Sequence, residues 1–190
     1  MHILKCERRA GLDRVKRIAR ELVKKCHVFD LYEDTVITPE GHTAKWDFLM
    51  HFGAAAVVPV LPDGRILMVR QYRNAVDRES LEIPAGKKDT PDEDPYLCAK
   101  RELEEETGYR SENLTKLLRL VTAIAYDNEI IDIYVARDLI PTAQHLDDDE
   151  FIDVYPYELS DLMEMIRKEE IQDAKTVAAL MAYRVQTELC

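Results

Sequence analysis

Glu93-Asp94-Pro95-Tyr96-Leu97-Cys98-Ala99-Lys100-Arg101-Glu102-Leu103-Glu104-Glu105-Glu106-Thr107-Gly108-Tyr109 carries the signals of one helix with both ends marked. Asp94 is a good N-cap, Pro95 suits the first helical position, and Gly108 is the usual residue for a left-handed C-terminal cap. Glu102 and Glu106 are four apart and Glu105 is three from Glu102, so these three carboxylates lie near one helical face. A helix meant only for solvent more often intersperses bases with its acids. Carboxylates converging on one point are what a hard divalent cation requires, with water and substrate phosphate completing its shell. Arg101 beside them is placed to orient one carboxylate and to limit the repulsion.

Outward from this helix the chain reads as strands. Ala54 to Leu61 is a nearly continuous apolar run and is expected to be buried on both faces. Pro62-Asp63-Gly64 turns it into a strand at Arg65–Arg73. Leu81–Pro84 is a short strand that enters a loop at Gly86. Val28–Thr38 and Thr43–His51 precede these, and Leu117–Ala125, Ile130–Ala136 and Phe151–Tyr155 follow the helix. Helices at Leu159–Lys168 and Ala174–Glu188 finish the chain. One helix among strands and two at the end indicate an α+β fold, a sandwich with a mixed sheet. Leu12, Val15, Ile18, Ala19, Leu22 and Val23 fit a helical stripe.

Composition bounds the function. At 190 residues the chain is long enough for one buried core without disulfides. Cys6, Cys26, Cys98 and Cys190 are widely spaced, which suits a reducing cytoplasm and argues against a zinc cage. No apolar run is long enough to cross a bilayer, so no membrane partner is expected. The net charge is −11, from 26 Lys/Arg and 37 Asp/Glu, and argues against a nucleic-acid partner. It is uneven: residues 1–26 hold nine bases and three acids, while residues 89–107 and 127–153 hold eight and nine acids.

Glu93, Arg101, Glu102, Leu103, Glu105, Glu106 and Gly108 stand at the spacings of the Nudix box, G-x5-E-x7-R-E-U-x-E-E-x-G-U with U apolar. Tyr109 is a looser match at the last position. The chain departs from the pattern by one extra residue between Gly86 and Glu93, which leaves Asp92 at the strict glutamate position. Val69-Arg70-Gln71-Tyr72-Arg73, Leu81-Glu82-Ile83-Pro84-Ala85-Gly86, Asp148-Asp149-Glu150-Phe151 and Ile171-Gln172-Asp173-Ala174-Lys175-Thr176 resemble the ADP-ribose pyrophosphatase branch of the Nudix hydrolases. This likeness runs from about Val23 to the C-terminal helix.

The resemblance implies a Nudix-type α/β/α sandwich over residues 51–190. It is preceded by N-terminal antiparallel strands in residues 1–50 that build a domain-swapped homodimer. It thus favours strand over helix for at least the end of the 12–23 segment. It implies Mg²⁺-dependent cleavage of a nucleoside diphosphate sugar, ADP-ribose to AMP and ribose 5-phosphate, with Mn²⁺ a possible substitute. Glu102, Glu105 and Glu106 are then metal ligands with the Ala85 carbonyl as a fourth, and Glu105 is counted among the catalytic residues. Arg73, Glu82 and Glu129 match substrate positions. The general base is expected from the acidic loop, Glu150 first and Asp148 second, since a loop carboxylate can swing toward bound water. Thr122–Glu129 lacks the proline and glycine common in this branch. Tyr126 stands where the diadenosine-polyphosphate branch tends to carry a tyrosine, so a dinucleoside polyphosphate is the alternative substrate. A nucleotide-binding regulator without turnover ranks below both, because every box carboxylate is present. Trp46 fits either a stack on adenine or packing at an interface.

Overall fold

The computed structural model describes residues 14–188. They divide into two compact units, residues 14–51 with Ala123–Asn128, and Phe52–Thr122 with residues 129–188.

The first unit is a three-stranded antiparallel sheet of β1 (Lys16–Lys25), β2 (Asp30–Ile37) and β3 (Thr43–Met50) in that order. Of the two readings of 12–23, the helical stripe does not hold and the strand that the resemblance favours does: from Lys16 on the segment is strand, and residues 1–13 lie outside the described ones. The pairing with β2 shifts register between Arg17 and Ala19 and again between Leu22 and Lys24. Each irregularity adds a residue and breaks the two-residue alternation. Apolar residues at 15, 18, 22 and 23 therefore lose their strand signature and mimic a helix. Ala123–Asn128 is a turn held to this sheet, with the Leu49 N–H donating to the Tyr126 carbonyl at 2.7 Å and the His51 N–H to Asn128 Oδ1 at 2.8 Å.

The second unit holds β4 (Ala54–Pro59), β5 (Ile66–Arg73), β6 (Arg78–Glu82), β7 (Ala85–Lys87), α1 (Pro95–Thr107), β8 (Tyr109–Arg110), β9 (Asn113–Val121), β10 (Ile130–Arg137), β11 (Ile140–Pro141), β12 (Ile152–Tyr157), α2 (Leu159–Arg167) and α3 (Ala174–Glu188). One sheet runs β7-β4-β10-β9, with β4 and β10 parallel and the outer pairs antiparallel; a second runs β12-β5-β6. β9 starts and ends four residues earlier than its apolar sequence suggests. Pairing stops at Val121↔Ile130, and the backbone N–H groups of Tyr126 and Asp127 bond back to the Ala123 carbonyl instead.

β4 is buried along its whole length, because helices cover both its faces. Ala55 and Val57 pack with Tyr134 and Ala136 of β10 against Cys98, Ala99 and Leu103 of α1. Ala54, Ala56 and Val58 pack with Ile131, Ile133 and Val135 against Leu162 of α2 and Ala179, Leu180 and Tyr183 of α3. Alternate residues of two strands thus serve opposite helical layers, which makes the unit an α/β/α sandwich with a mixed sheet. The caps of α1 are those its sequence announces. Asp94 Oδ1 accepts from the Tyr96 N–H at 2.9 Å, and Gly108 takes φ 69°.

Leu103 is fully buried and fastens α1 to β4 and β10. Leu103→Ala should lower unfolding free energy by about 3 kcal/mol, measured by urea denaturation, as expected for an aliphatic core truncation.

Candidate active site

The buried stripe of α1 is apolar at one end and acidic at the other. Cys98, Glu102 and Glu106 follow one another at four-residue intervals, so the turn that aims Cys98 at the sheet aims both carboxylates inward too. Glu102 and Glu106 are 8% and 4% exposed. Glu106 Oε2 accepts the Ala85 N–H at 2.9 Å, which fixes the start of β7 over the helix. Gly86 makes room for Glu102: a Cβ there would overlap the Glu102 carboxylate. Burial pushes the Glu102 carboxyl up to about 7 against the pull of Arg101, and the Glu106 carboxyl up to about 8 against the Ala85 N–H. Glu150 raises both further.

Arg101 Nη1 donates to Glu102 Oε1 at 2.6 Å and to Glu105 Oε2 at 3.0 Å. Arg101 Nη2 lies 3.4 Å from Glu93 Oε1, and Glu93 also receives the Asp89 N–H at 2.7 Å. The extra residue in the preceding loop is thus absorbed before Glu93. Glu93 is half-buried beside Arg101, whereas Asp92 is exposed.

Ala85, Gly86, Lys87, Asp89, Arg101, Glu102, Glu105, His145, Asp147 and Glu150 line a cavity of about 130 Å³. The structure therefore brings Glu150 to the helix carboxylates. Asp147 joins it, while Asp148 is exposed and outside that lining. Arg73 and Glu82 line a separate cavity of about 500 Å³ with Arg78, Asp173 and Lys175. Arg73 grips Glu82 through two hydrogen bonds, Nε to Oε1 at 2.8 Å and Nη2 to Oε2 at 2.7 Å. Glu129 is half-buried at the start of β10, and its carbonyl accepts the Thr122 N–H at 3.4 Å. Tyr126 is exposed in the turn of the first unit.

One residue of this region escapes the sequence reading. Lys175 Nζ donates to Glu82 Oε2 at 2.5 Å and to Asp173 Oδ2 at 2.9 Å. Asp173 also accepts the Thr176 N–H at 3.0 Å and the Thr176 hydroxyl at 2.6 Å, and Thr176 Oγ1 accepts the Ile83 N–H at 3.0 Å. The N-terminus of α3 is thereby bolted to the end of β6. The available signal is an N-cap aspartate followed by Lys and Thr, which announces a cap but not partners 93 residues away.

A profile of the NUDIX domain matches residues 50–180. The chain belongs to the NUDIX domain family. It is 38% identical over 176 residues to a protein of Bacillus subtilis named ADP-ribose pyrophosphatase, covering 92% of this chain and 95% of that one. It is 39% identical over the same length to a Bacillus methanolicus protein named methanol dehydrogenase activator, again with 92% and 95% coverage. The crystal structure of an ADP compounds hydrolase superposes with a TM-score of 0.81 over 92% of this chain and 95% of that one, at 24% identity, and shows the fold.

Nudix hydrolases are in general divalent-metal enzymes. The donor set of this Nudix helix fits such an ion: all-oxygen ligands, two of them buried carboxylates. Among the described residues no three His, Cys, Asp or Glu side chains converge on one point as they stand. Arg101 bridges Glu102 and Glu105, so an ion held by these carboxylates would require Arg101 to release both. No helix of the described residues is long and apolar enough to cross a membrane.

Burial would raise the Glu82 carboxyl, but Arg73 and Lys175 outweigh it and hold the group near 2 instead of 4.5. Between these values the unfolded chain binds the extra proton. The stabilisation is therefore complete above pH 4.5 and is lost as pH falls toward 2. Glu82→Gln should cost about 3 kcal/mol at neutral pH, since it leaves Arg73 without its anion and Lys175 with Asp173 alone. The gap from wild type in urea denaturation should shrink as acid approaches pH 2.

Proposed function

We propose that the protein hydrolyses the diphosphate of a nucleoside diphosphate sugar, with ADP-ribose favoured and AMP and ribose 5-phosphate as products. The observation that carries this reading is the meeting of Glu102 and Glu105 of the Nudix helix with Glu150 and Ala85 around one cavity. The likeness to a protein named ADP-ribose pyrophosphatase over nearly both whole chains points to the substrate.

Glu102, Glu105 and Glu106 are the metal ligands, with the Ala85 carbonyl joining them. Mg²⁺, or Mn²⁺ in its place, supplies charge neutralisation for the diphosphate and a more acidic bound water. Glu150 takes the proton of the attacking water, Asp148 being the second candidate. The new P–O bond forms as the bridging P–O bond breaks, and the departing phosphate oxygen ends protonated by solvent or remains an anion. Arg73 binds phosphate oxygens or the sugar, as a guanidinium suits, and Glu82 accepts hydroxyl donors beside it. Glu129 is a further substrate contact on the same family likeness, and Tyr126 is the residue that the alternative substrate rests on. The exposed Ile18, Leu22, Val23 and Trp46 of the three-stranded sheet support a homodimer built through that unit. The reaction is assigned to the cytoplasm, without a nucleic-acid or membrane partner.

Tyr126 favours a second reading, hydrolysis of a dinucleoside polyphosphate, because its exposed ring is free to stack on a second base. Assaying ADP-ribose, other nucleoside diphosphate sugars and diadenosine polyphosphates side by side should give the highest kcat/KM for ADP-ribose. A higher value for a diadenosine polyphosphate would reverse the order. Glu106→Gln should lower kcat by at least about a hundredfold, and wild-type turnover in that variant would sink the metal-site reading.

Glu102 and Glu106 also set the pH response of the metal-free protein. Each carboxyl holds its proton to a higher pH when folded, about 7 and about 8 against 4.5, so the folded chain binds more protons in that range. Stability in chelator should therefore fall as pH rises from 4.5 through 8. Metal ligation needs the deprotonated groups, so the rise in Tm on adding Mg²⁺ should be larger at about pH 8 than at about pH 6. Scanning calorimetry with and without Mg²⁺ measures both trends.

A further inference from the structure

We infer that Gln144 is a positioning residue for the water-activating loop, tying that loop to the backbone of the Nudix helix. The inference rests on the reading of Glu150 as general base.

The last carbonyls of a helix have no partner within it. At the end of α1 they are taken by the segment that enters the acidic loop. The Thr142 N–H donates to the Gly108 carbonyl at 2.7 Å, and the His145 N–H to the Glu105 carbonyl at 3.0 Å. Between them Gln144 Nε2 donates to the Glu106 carbonyl at 2.6 Å. The same nitrogen lies 3.4 Å from the carbonyl of Ile152, where β12 begins. Gln144 therefore touches both roots of the loop at residues 145–151 and fastens them to one point on the helix.

That point is chemically significant. Glu105 and Glu106 present their side chains as candidate metal ligands and their main-chain carbonyls as anchors of the loop. A displacement of the helix end moves both together, so the distance from loop to carboxylates is preserved. Within the loop the Glu150 N–H bonds the Asp147 carbonyl at 3.0 Å, and Glu150 Oε2 accepts the Asp147 N–H at 3.3 Å. This tip lines the cavity with Glu102 and Glu105, and its root is the Gln144 clip.

Gly108 belongs to the same device. Its φ of 69° is costly for other residues, and a Cβ would come within 3.2 Å of the Gln144 main-chain nitrogen and 3.3 Å of the Ala143 carbonyl carbon. The box glycine thus ends the helix and also leaves room for the chain that carries the base.

Gln144→Met keeps length and removes the donor, whereas Gln144→Lys keeps a donor at similar reach. For ADP-ribose hydrolysis, Gln144→Met should lower kcat by about ten- to a hundredfold through misplacement of the base. KM and the Mg²⁺ concentration for half-maximal rate should stay within about twofold, because the binding groups on α1, β5 and β6 are untouched. Gln144→Lys should restore most of the rate. The deciding measurement is the double variant with Glu150→Gln. If Gln144 acts through Glu150, the double variant is no slower than Glu150→Gln alone. Losses that multiply, wild-type kcat in Gln144→Met, or a Gln144→Lys as slow as Gln144→Met would each overturn the inference while leaving the base assignment standing. Wild-type turnover in Glu150→Gln would instead remove the base assignment and the inference with it.

Discussion

The buried carboxylate of Glu106, held by the Ala85 N–H, is the contact on which the site depends. It joins two elements of different kinds, a helix that brings acids in sequence and a strand start that brings backbone. Burying an acid in this way is expensive unless it is hydrogen-bonded or paired. The sandwich meets that cost by locking α1 through Leu103, Ala99 and Cys98 against β4 and β10. The apolar half of the helix holds the acidic half in place.

Two further contacts tie the surroundings to this pair. From one side, α3 reaches β6 through Asp173, Lys175 and Thr176, so the Glu82–Arg73 pair and the turn toward Ala85 share one support. From the other, residues 142–145 meet the helix end. A chain that places its charged groups on four separate segments still obtains a fixed geometry, because each segment is bonded to α1 or to its neighbour.

Much of this was legible in the residues, for identifiable reasons. Asp94, Pro95 and Gly108 announce both ends of α1 because caps are local chemistry. Ala54–Leu61 reads as a buried strand because it is apolar without alternation. The box spacing points to Glu102, Glu105 and Glu106 because one helical face collects them. β1 was obscured because two bulges disrupt its alternation, and β9 because its apolar run continues into a turn closed by backbone bonds. Lys175 and Gln144 were missed for another reason. Each acts on a partner distant in sequence, and neither residue type carries a local mark of that role. Among the loop acids the resemblance ranks Glu150 first and Asp148 second, and the folded loop sets Glu150 and Asp147, rather than Asp148, along the cavity.

The turn at Ala123–Asn128 has a consequence for how this chain can be divided. It belongs to the same compact unit as β1, β2 and β3, yet it is inserted between β9 and β10 of the other. The Leu49 N–H and the His51 N–H spend their bonds on it. Cutting the polypeptide once, near residue 51, would strip both fragments of backbone partners. The amino-terminal sheet is thus not a detachable module but a unit completed by a loan from the middle of the chain. Shuffling this sheet between relatives would require exchanging two segments together.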